Sequence, residues 1–275
     1  MDIQEHKNAV TPLLRWAGGK RWLVNSHADI FPTQFNSYIE PFAGSAAVFF
    51  KLLPEKAILA DLNRDLIETY KAIQSDWQQV QILLEVYQNK HSKDYYYQTR
   101  AVEPQTLSSA ELAARFIYLN RTCWNGLYRV NKSGKFNVPI GTSQNVLLQN
   151  DNLHAISQTL KNTMLFHQGF EKTIGMAKKG DFVFVDPPYT VKHNHNGFVS
   201  YNEKIFSWRD QELLCESVRL AVKRGVKVLV TNARHHSIMQ LYKGLGEFIE
   251  LERNNLISGK PMYRGRYEEL IVRCY

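Results

Sequence analysis

A doubly wound α/β fold with a mostly parallel sheet and a helical insertion is predicted by three observations. Short β-rich runs alternate with helix-period segments at both ends of the chain; the middle is helical; and Phe182-Val183-Phe184-Val185 is continuously apolar, as a buried strand is. In chain order the candidate strands are Ser37-Tyr38-Ile39-Glu40, Ala57-Ile58-Leu59-Ala60, Met164-Leu165-Phe166-His167, Phe182 to Val185, Val226 to Val230 and Leu270 to Cys274. Asp65 to Glu85 and Ser109 to Arg121 carry apolar residues at helical spacing with little Gly or Pro. Lys132-Ser133-Gly134-Lys135 has the polar, Gly-containing character of a hairpin turn. The chain holds no internal repeat and no low-complexity tract.

With 275 residues the chain can bury a large core, as one domain with an insertion or as two small domains. Its 34 basic and 26 acidic residues leave a formal charge of +8, which favours a polyanionic partner but also fits many proteins that bind none. Cys123, Cys215 and Cys274 are odd in number, widely spaced and free of any C-x-x-C, so neither a disulfide framework nor a zinc site is expected. No apolar run approaches the length of a membrane span, and Met1-Asp2-Ile3-Gln4-Glu5-His6 lacks a secretion pattern. The expectation is a soluble cytoplasmic protein.

The chemistry concentrates at Asp186-Pro187-Pro188-Tyr189, directly after the apolar run. Two prolines remove the amide donors that would extend the strand ladder, leaving carbonyls beyond Asp186 free to face a ligand. A carboxylate, a carbonyl and an aromatic ring within this span suit an exocyclic amino group on a nucleobase, whose lone pair is delocalised into the ring. Asp186 and the Pro187 carbonyl, each accepting a hydrogen bond from that group, push the lone pair toward a localised form. Tyr189 holds the base by stacking, worth roughly 1–3 kcal/mol. The alternative is a proline turn with an incidental Asp and Tyr.

Four further segments accompany this tetrapeptide: Arg15-Trp16-Ala17-Gly18-Gly19-Lys20, Glu40-Pro41-Phe42-Ala43-Gly44-Ser45-Ala46, Leu59-Ala60-Asp61-Leu62-Asn63, and the stretch from Leu119 to Gly141. With Asp-Pro-Pro-Tyr last, the order and nearly the whole chain resemble the Dam-like DNA adenine-N6 methyltransferases, the D12 class, α group. The resemblance implies a Rossmann-like methyltransferase sheet, S-adenosylmethionine as cofactor, S-adenosylhomocysteine as product, no metal, and double-stranded DNA as partner. It implies a catalytic domain of residues 1–63 and 151–275 and a target-recognition domain of residues 64–150. The expected state is a monomer or weak dimer on DNA, nucleoid-associated, with a larger defence or restriction assembly left open.

The turn at Phe42 to Ala46 suits close backbone approach because Gly44 has no Cβ. Ala46 stands where the family carries a second glycine, which keeps the turn but crowds it. An acidic residue ending the next strand is where doubly wound folds bind ribose hydroxyls, so Asp61 belongs by resemblance to the cofactor pocket; otherwise it caps the following helix. By resemblance Trp16, Ala17 and Lys20 line the methionine end of the cofactor, and Phe170 lies against its adenine. Gly18-Gly19 as a plain loop, and Trp16 and Phe170 as core residues, are the other readings.

An adenine N6 inside a duplex cannot reach a methyl donor above the sheet, so the base must be flipped out. The segment from Asn120 to Arg129 interleaves basic and aromatic residues around Gly126, and Arg121, Arg129, Lys132 and Lys135 fall in a span without an acidic residue, so their charge reads as unopposed. By resemblance Trp124 inserts into the duplex, Asn125 helps occupy the vacated site, Leu127 and Arg129 read neighbouring base pairs, Arg15 contacts a flanking base, and Asn137 and Pro139 belong to the hairpin beside the DNA. The set resembles readers of GATC. Trp124 departs from the smaller aromatic usual there. The alternative is a solvated basic loop with Trp124 folded back on the domain.

Phe198, Tyr201 and Phe206 match the family's loop that closes over the flipped base. His193 with His195, and His235 with His236, lack further metal ligands at suitable spacing and read as solvent loops. Ser258-Gly259-Lys260 with Arg264 and Arg266 offers phosphate contacts or a charged turn. Cytosine-C5 methylation is disfavoured because it needs a thiolate nucleophile, usually after Pro, whereas these cysteines follow Thr122, Leu214 and Arg273. Cytosine-N4 methylation, RNA adenine methylation and a catalytically silent DNA-binding subunit are the remaining alternatives.

Overall fold

The computed structural model describes residues 10–131, 134–191, 206–254 and 266–275. Its strands are Tyr38–Glu40 (β1), Ala57–Asp61 (β2), Thr163–His167 (β3), Phe182–Val185 (β4), Lys227–Ala233 (β5), Glu247–Asn254 (β6) and Arg266–Cys274 (β7). They form a seven-stranded sheet of order β3-β2-β1-β4-β5-β7-β6. β2 with β3, β1 with β4, and β4 with β5 pair in parallel, whereas β7 runs antiparallel to β5 and β6. The sheet is thus mostly parallel, as expected. Strand β6 was not anticipated: Glu-Phe-Ile-Glu-Leu-Glu-Arg-Asn is half charged, the composition of an edge strand that discourages pairing with other chains.

The chain divides into two compact units. The first joins residues up to Ala28 with Ala43–His167, and the second joins Asp29–Phe42 with Gln168–Tyr275. In the first, helices Arg21–Ser26 (α1), Ala47–Leu52 (α2), Arg64–Lys90 (α3), Lys93–Ala101 (α4), Ser109–Thr122 (α5) and Leu153–Leu160 (α6) surround the β2–β3 pair. The α3 residues Leu66, Ile67, Tyr70, Ile73, Val80 and Leu84 recur at helical spacing and are buried, with α5 and α6 packed on the helix. Asn63 caps α3 by accepting from the Leu66 amide at 3.1 Å. The helix breaks at Asp76 (φ −150°, ψ 63°), whose carboxylate caps the continuation through the Gln79 amide at 3.2 Å. Ser108 and Glu111 form a reciprocal capping box at the start of α5.

In the second unit all four β4 residues are buried. Phe182 is ringed by Phe31, Phe35, Tyr38 and Tyr275. Helices Phe170–Gly175 (α7), Trp208–Lys223 (α8) and His236–Leu241 (α9) complete it, α8 starting from a Ser207–Asp210 capping box. Strand order reverses between β1 and β4, and in such sheets ligands bind beyond the carboxyl ends of the strands flanking the reversal. Glu40 ends β1 there, and Asp186 follows β4.

Candidate active site and nucleic-acid interface

In the first unit a tight turn precedes α2. The Ala43 amide donates to the Ala60 carbonyl at 2.9 Å, anchoring the turn on β2. Gly44 has φ +47°, and a Cβ there would lie 2.8 Å from Trp16 Cδ1 and 2.9 Å from Nε1, so the indole rests on the bare glycine. The Gly44 carbonyl accepts from Tyr70 Oη at 2.8 Å. Its amide donates to Asp61 Oδ2 at 3.1 Å, and the Asn63 amide donates to Asp61 Oδ1 at 2.9 Å. Asp61 is therefore the acceptor that gathers both turns, while Asn63 caps the helix. Burial raises the Asp61 carboxyl above the usual carboxylate range, opposed by these amide hydrogen bonds.

Ala46, at the family's second-glycine position, is fully buried with φ +52°, so the turn keeps a left-handed residue and carries the methyl group. Around it, Gly18 (φ +75°) lets the chain reverse after Trp16, and buried Lys20 donates to the Gly18 carbonyl at 2.7 Å. Ala17 is exposed. Trp16, Gly44 and Asp61 are thus brought together in one turn cluster.

In the second unit the tetrapeptide is held by residues distant in sequence. Thr231 Oγ1 on β5 donates to Asp186 Oδ1 at 2.6 Å, and Tyr189 Oη donates to Glu269 Oε2 on β7 at 3.0 Å. Gln211 Nε2 reaches the Pro188 carbonyl at 3.4 Å and its Oε1 accepts from buried Asn232 at 3.1 Å. Among the described residues no hydrogen bond to the Pro187 carbonyl is present, in contrast to that of Pro188. Burial, with the Asp186 and Glu269 charges, raises the Tyr189 pKa far above the ordinary phenol, so its hydroxyl stays a donor. Phe42 stacks on Phe170 with centroids 5.7 Å apart, and Phe206 meets both edge-on. Phe206, expected in a loop that closes over the base, is instead packed into this cluster at 5% exposure. Phe198, Tyr201, His193 and His195 lie outside the described residues.

The stretch after α5, in the first unit, carries the residues expected to contact DNA. Trp124 is 53% exposed and Leu127 43%, and Asn125, Arg129, Asn137, Pro139 and Arg15 are also exposed, so Trp124 is not folded back. The Trp124 amide donates to the Pro139 carbonyl at 2.9 Å, and the Asn137 amide donates to the Arg129 carbonyl at 3.3 Å, tying the two limbs. Arg129 Nε donates to Asn137 Oδ1 at 3.2 Å. The expected hairpin consists of isolated antiparallel bridges, Cys123 with Ile140 and Val130 with Phe136. Asn125 takes φ +55°, a conformation that Asn tolerates better than most residues, and Gly126 (φ +63°) lies under the Arg15 side chain.

The unopposed charge read from the sequence is corrected. Arg121 is buried and pairs with Asp151, with Nη2–Oδ1 at 2.7 Å, and it also donates to the Leu13 and Val146 carbonyls. Lys135 pairs with Glu103. Both partners lie outside the span that was read, so a local charge count could not find them. Lys132 is outside the described residues, as are Ser258, Gly259, Lys260 and Arg264. His235 caps α9 through the Ser237 amide. Among the described residues no helix is long and apolar enough to cross a membrane, and no group of His, Cys, Asp or Glu could hold a metal.

Residues 16–257 match the model of the D12 class N6 adenine-specific DNA methyltransferases. The chain belongs to this family. It is 35% identical over 281 residues to the Type II methyltransferase M1.LlaDCHI of Lactococcus lactis subsp. cremoris, covering 99% of this chain and 98% of that protein. A DNA adenine methylase of Haemophilus influenzae is 30% identical over 265 residues, 95% of this methyltransferase and 92% of the relative. The DNA N-6-adenine-methyltransferase of Escherichia phage P1 is 32% identical over 256 residues, 92% of this chain but 34% of the phage protein.

Membership implies S-adenosylmethionine, and the turn cluster fits it. The left-handed turn at Gly44 is covered by the Trp16 indole, and Asp61, which accepts turn amides on both oxygens, keeps lone-pair capacity for a hydroxyl donor. Sequence reasoning missed Tyr70, Thr231, Gln211 and Glu269. Asn120 was missed too: it exchanges two 2.8 Å hydrogen bonds with the Arg15 backbone. All act through partners far along the chain.

Proposed function

We propose that this methyltransferase modifies N6 of an adenine flipped out of duplex DNA, within GATC or a close relative. The observation that carries the reading is the acceptor pair after β4: Asp186 oriented by Thr231, and the Pro187 carbonyl without a described donor. Bound S-adenosylmethionine supplies a methyl group on a sulfonium as the electrophile. In this reading Trp16, Ala17, Lys20, Phe42, Gly44, Asp61, Phe170 and Asp186 are the residues that bind it. Asp186 and Pro187 accept the two hydrogens of the adenine amine and localise its lone pair. Tyr189 stacks on the base, and Pro188 stiffens the segment. Holding amine and methyl at attack distance supplies the rest of the rate. No covalent enzyme intermediate is invoked, since all three cysteines are buried and burial raises their thiol pKa values.

Residues 64–150 form the target-recognition domain in this reading, and residues 1–63 and 151–275 the catalytic domain. Trp124 enters the duplex and Asn125 helps fill the vacated site. Arg129 reads guanine and Leu127 a thymine methyl, the contacts such side chains favour in the major groove. Arg15 meets a flanking base, and Asn137 and Pro139 support the loop. The protein works in the cytoplasm on the nucleoid, as a monomer or weak dimer on DNA. Names of both the Type II and the DNA adenine methylase kind occur among relatives, which suits restriction-modification or host marking.

Incubating plasmid DNA with the protein and labelled cofactor, then mapping modified bases by single-molecule sequencing, tests the reading. N6-methyladenine confined to GATC is expected. Another motif discards the roles of Leu127 and Arg129, and modification of RNA alone discards the duplex.

A further inference from the structure

Within the base-reading loop the Tyr128 side chain faces the protein. Tyr128, between Leu127 and Arg129, is half-buried, whereas both neighbours are exposed. Its ring stacks on the Trp16 indole with centroids 5.8 Å apart and planes 18° from parallel. Phe116 and Phe136 pack on it at 4.8 Å and 5.6 Å. The Tyr128 hydroxyl donates to Asp65 Oδ2 at 3.3 Å, in the first turn of α3.

The two contacts lead to the two turns that Asp61 gathers. The Trp16 indole covers Gly44 so closely that a Cβ would overlap it, and the Gly44 amide is held by Asp61. Asp65 lies two residues beyond Asn63, whose amide is held by the other Asp61 oxygen. Leu127 and Arg129 flank Tyr128, so a backbone shift that re-aims them also moves Tyr128, whose ring stacks on the indole that covers Gly44. The sequence concealed this, because Tyr128 reads as one more aromatic in a basic loop.

We infer that Tyr128 is a positioning residue that couples the cofactor turn to target reading through Trp16. The inference rests on the reading above, which puts the cofactor at Gly44 and DNA on the loop. A cofactor seated against Trp16 fixes one face of the stack, and a base pair seated against Leu127 and Arg129 fixes the loop that carries the other. Each ligand then finds the other's site already ordered, and the coupling is reciprocal. An aromatic pair of this kind supports a coupling of about 3- to 10-fold in affinity.

The test is calorimetric titration of the full chain with S-adenosylhomocysteine, alone and with a saturating duplex carrying the methylated motif. Thermal melting verifies the fold of each variant. In wild type the duplex tightens S-adenosylhomocysteine by about 3- to 10-fold. Tyr128→Phe keeps the ring and retains the coupling. Tyr128→Leu fills most of the space without a stacking face; it binds S-adenosylhomocysteine alone within about two-fold of wild type, but the effect of the duplex disappears. Preference for the cognate over a scrambled duplex falls with it. Should Tyr128→Leu melt early, Tyr128→His, which keeps a smaller ring, gives an intermediate coupling. A wild type that binds both ligands without coupling overturns the inference alone, as does coupling that survives in Tyr128→Leu. A wild type that binds no S-adenosylhomocysteine overturns the underlying reading and this inference together.

Discussion

Replacing Gly44 with alanine probes the turn on which the cofactor reading depends. Two costs follow from the geometry. At φ +47° an L-residue pays about 1–2 kcal/mol for the left-handed backbone, less about 0.5–1 kcal/mol because alanine constrains the unfolded chain more than glycine does. The new Cβ would meet Trp16 at 2.8–2.9 Å, far inside the roughly 3.5–4.0 Å of ordinary carbon contact, and such overpacking costs about 1–3 kcal/mol. Together they predict a loss of about 1–4.5 kcal/mol, shared between folding stability and cofactor affinity according to whether the turn or the indole yields. Ala46 serves as an internal control: it already carries a Cβ at φ +52° in the same turn, so the backbone conformation alone is tolerated and the indole is the larger obstacle. The assay is urea denaturation alongside titration with S-adenosylhomocysteine. A Gly44→Ala protein within about 0.5 kcal/mol of wild type in both measurements refutes the reasoning.

Other expectations are as specific. Thr231→Val removes the hydroxyl on Asp186 while keeping the shape, so kcat falls about 10-fold or more with duplex affinity unchanged, and Thr231→Ser recovers most of it; steady-state kinetics beside DNA binding reads both. Arg121→Met strands Asp151 and two carbonyls and destabilises the protein by about 3–5 kcal/mol in denaturant titration. Burial pushes the thiols of Cys123 and Cys274 up to about 11 and about 12, so native protein at pH 8 reacts slowly with a thiol reagent and keeps its methyl transfer, whereas denatured protein reacts at all three cysteines. Because burial raises the Asp61 carboxyl, it takes up its proton at a higher pH than a free aspartate. S-adenosylhomocysteine affinity therefore begins to fall, on acidification, above the usual carboxylate range.

What was legible in the sequence was local. An apolar run stopped by two prolines identifies β4 and its end, and an acidic residue closing β2 identifies Asp61, because strand composition and chain breaks act within a few residues. The supports were not legible, since they arrive from other elements. Thr231 lies 45 residues from Asp186, Glu269 80 from Tyr189, and Gln211 23 from Pro188. Strand β6 was missed because an edge strand alternates charge with apolar residues and lacks a continuous apolar run. Arg121 was misread as surface charge because its neutralising partner, Asp151, stands 30 residues away. Ala46 shows the reverse case: substitution of a glycine did not abolish the left-handed turn, because buried packing outweighs a local penalty of about 1–2 kcal/mol.

The central claim is that Asp186 activates an adenine amine in duplex DNA. Its most direct test is mass analysis of nucleosides from duplex DNA incubated with S-adenosylmethionine and either wild-type protein or Asp186→Ala. The account predicts N6-methyladenine as the modified base with wild type. Asp186→Ala should bind the duplex within a few-fold of wild type yet turn over about 10²–10³-fold more slowly, the loss expected when a transition-state partner is removed. N4-methylcytosine as the product, or N6-methyladenine formed at a comparable rate by Asp186→Ala, would contradict it.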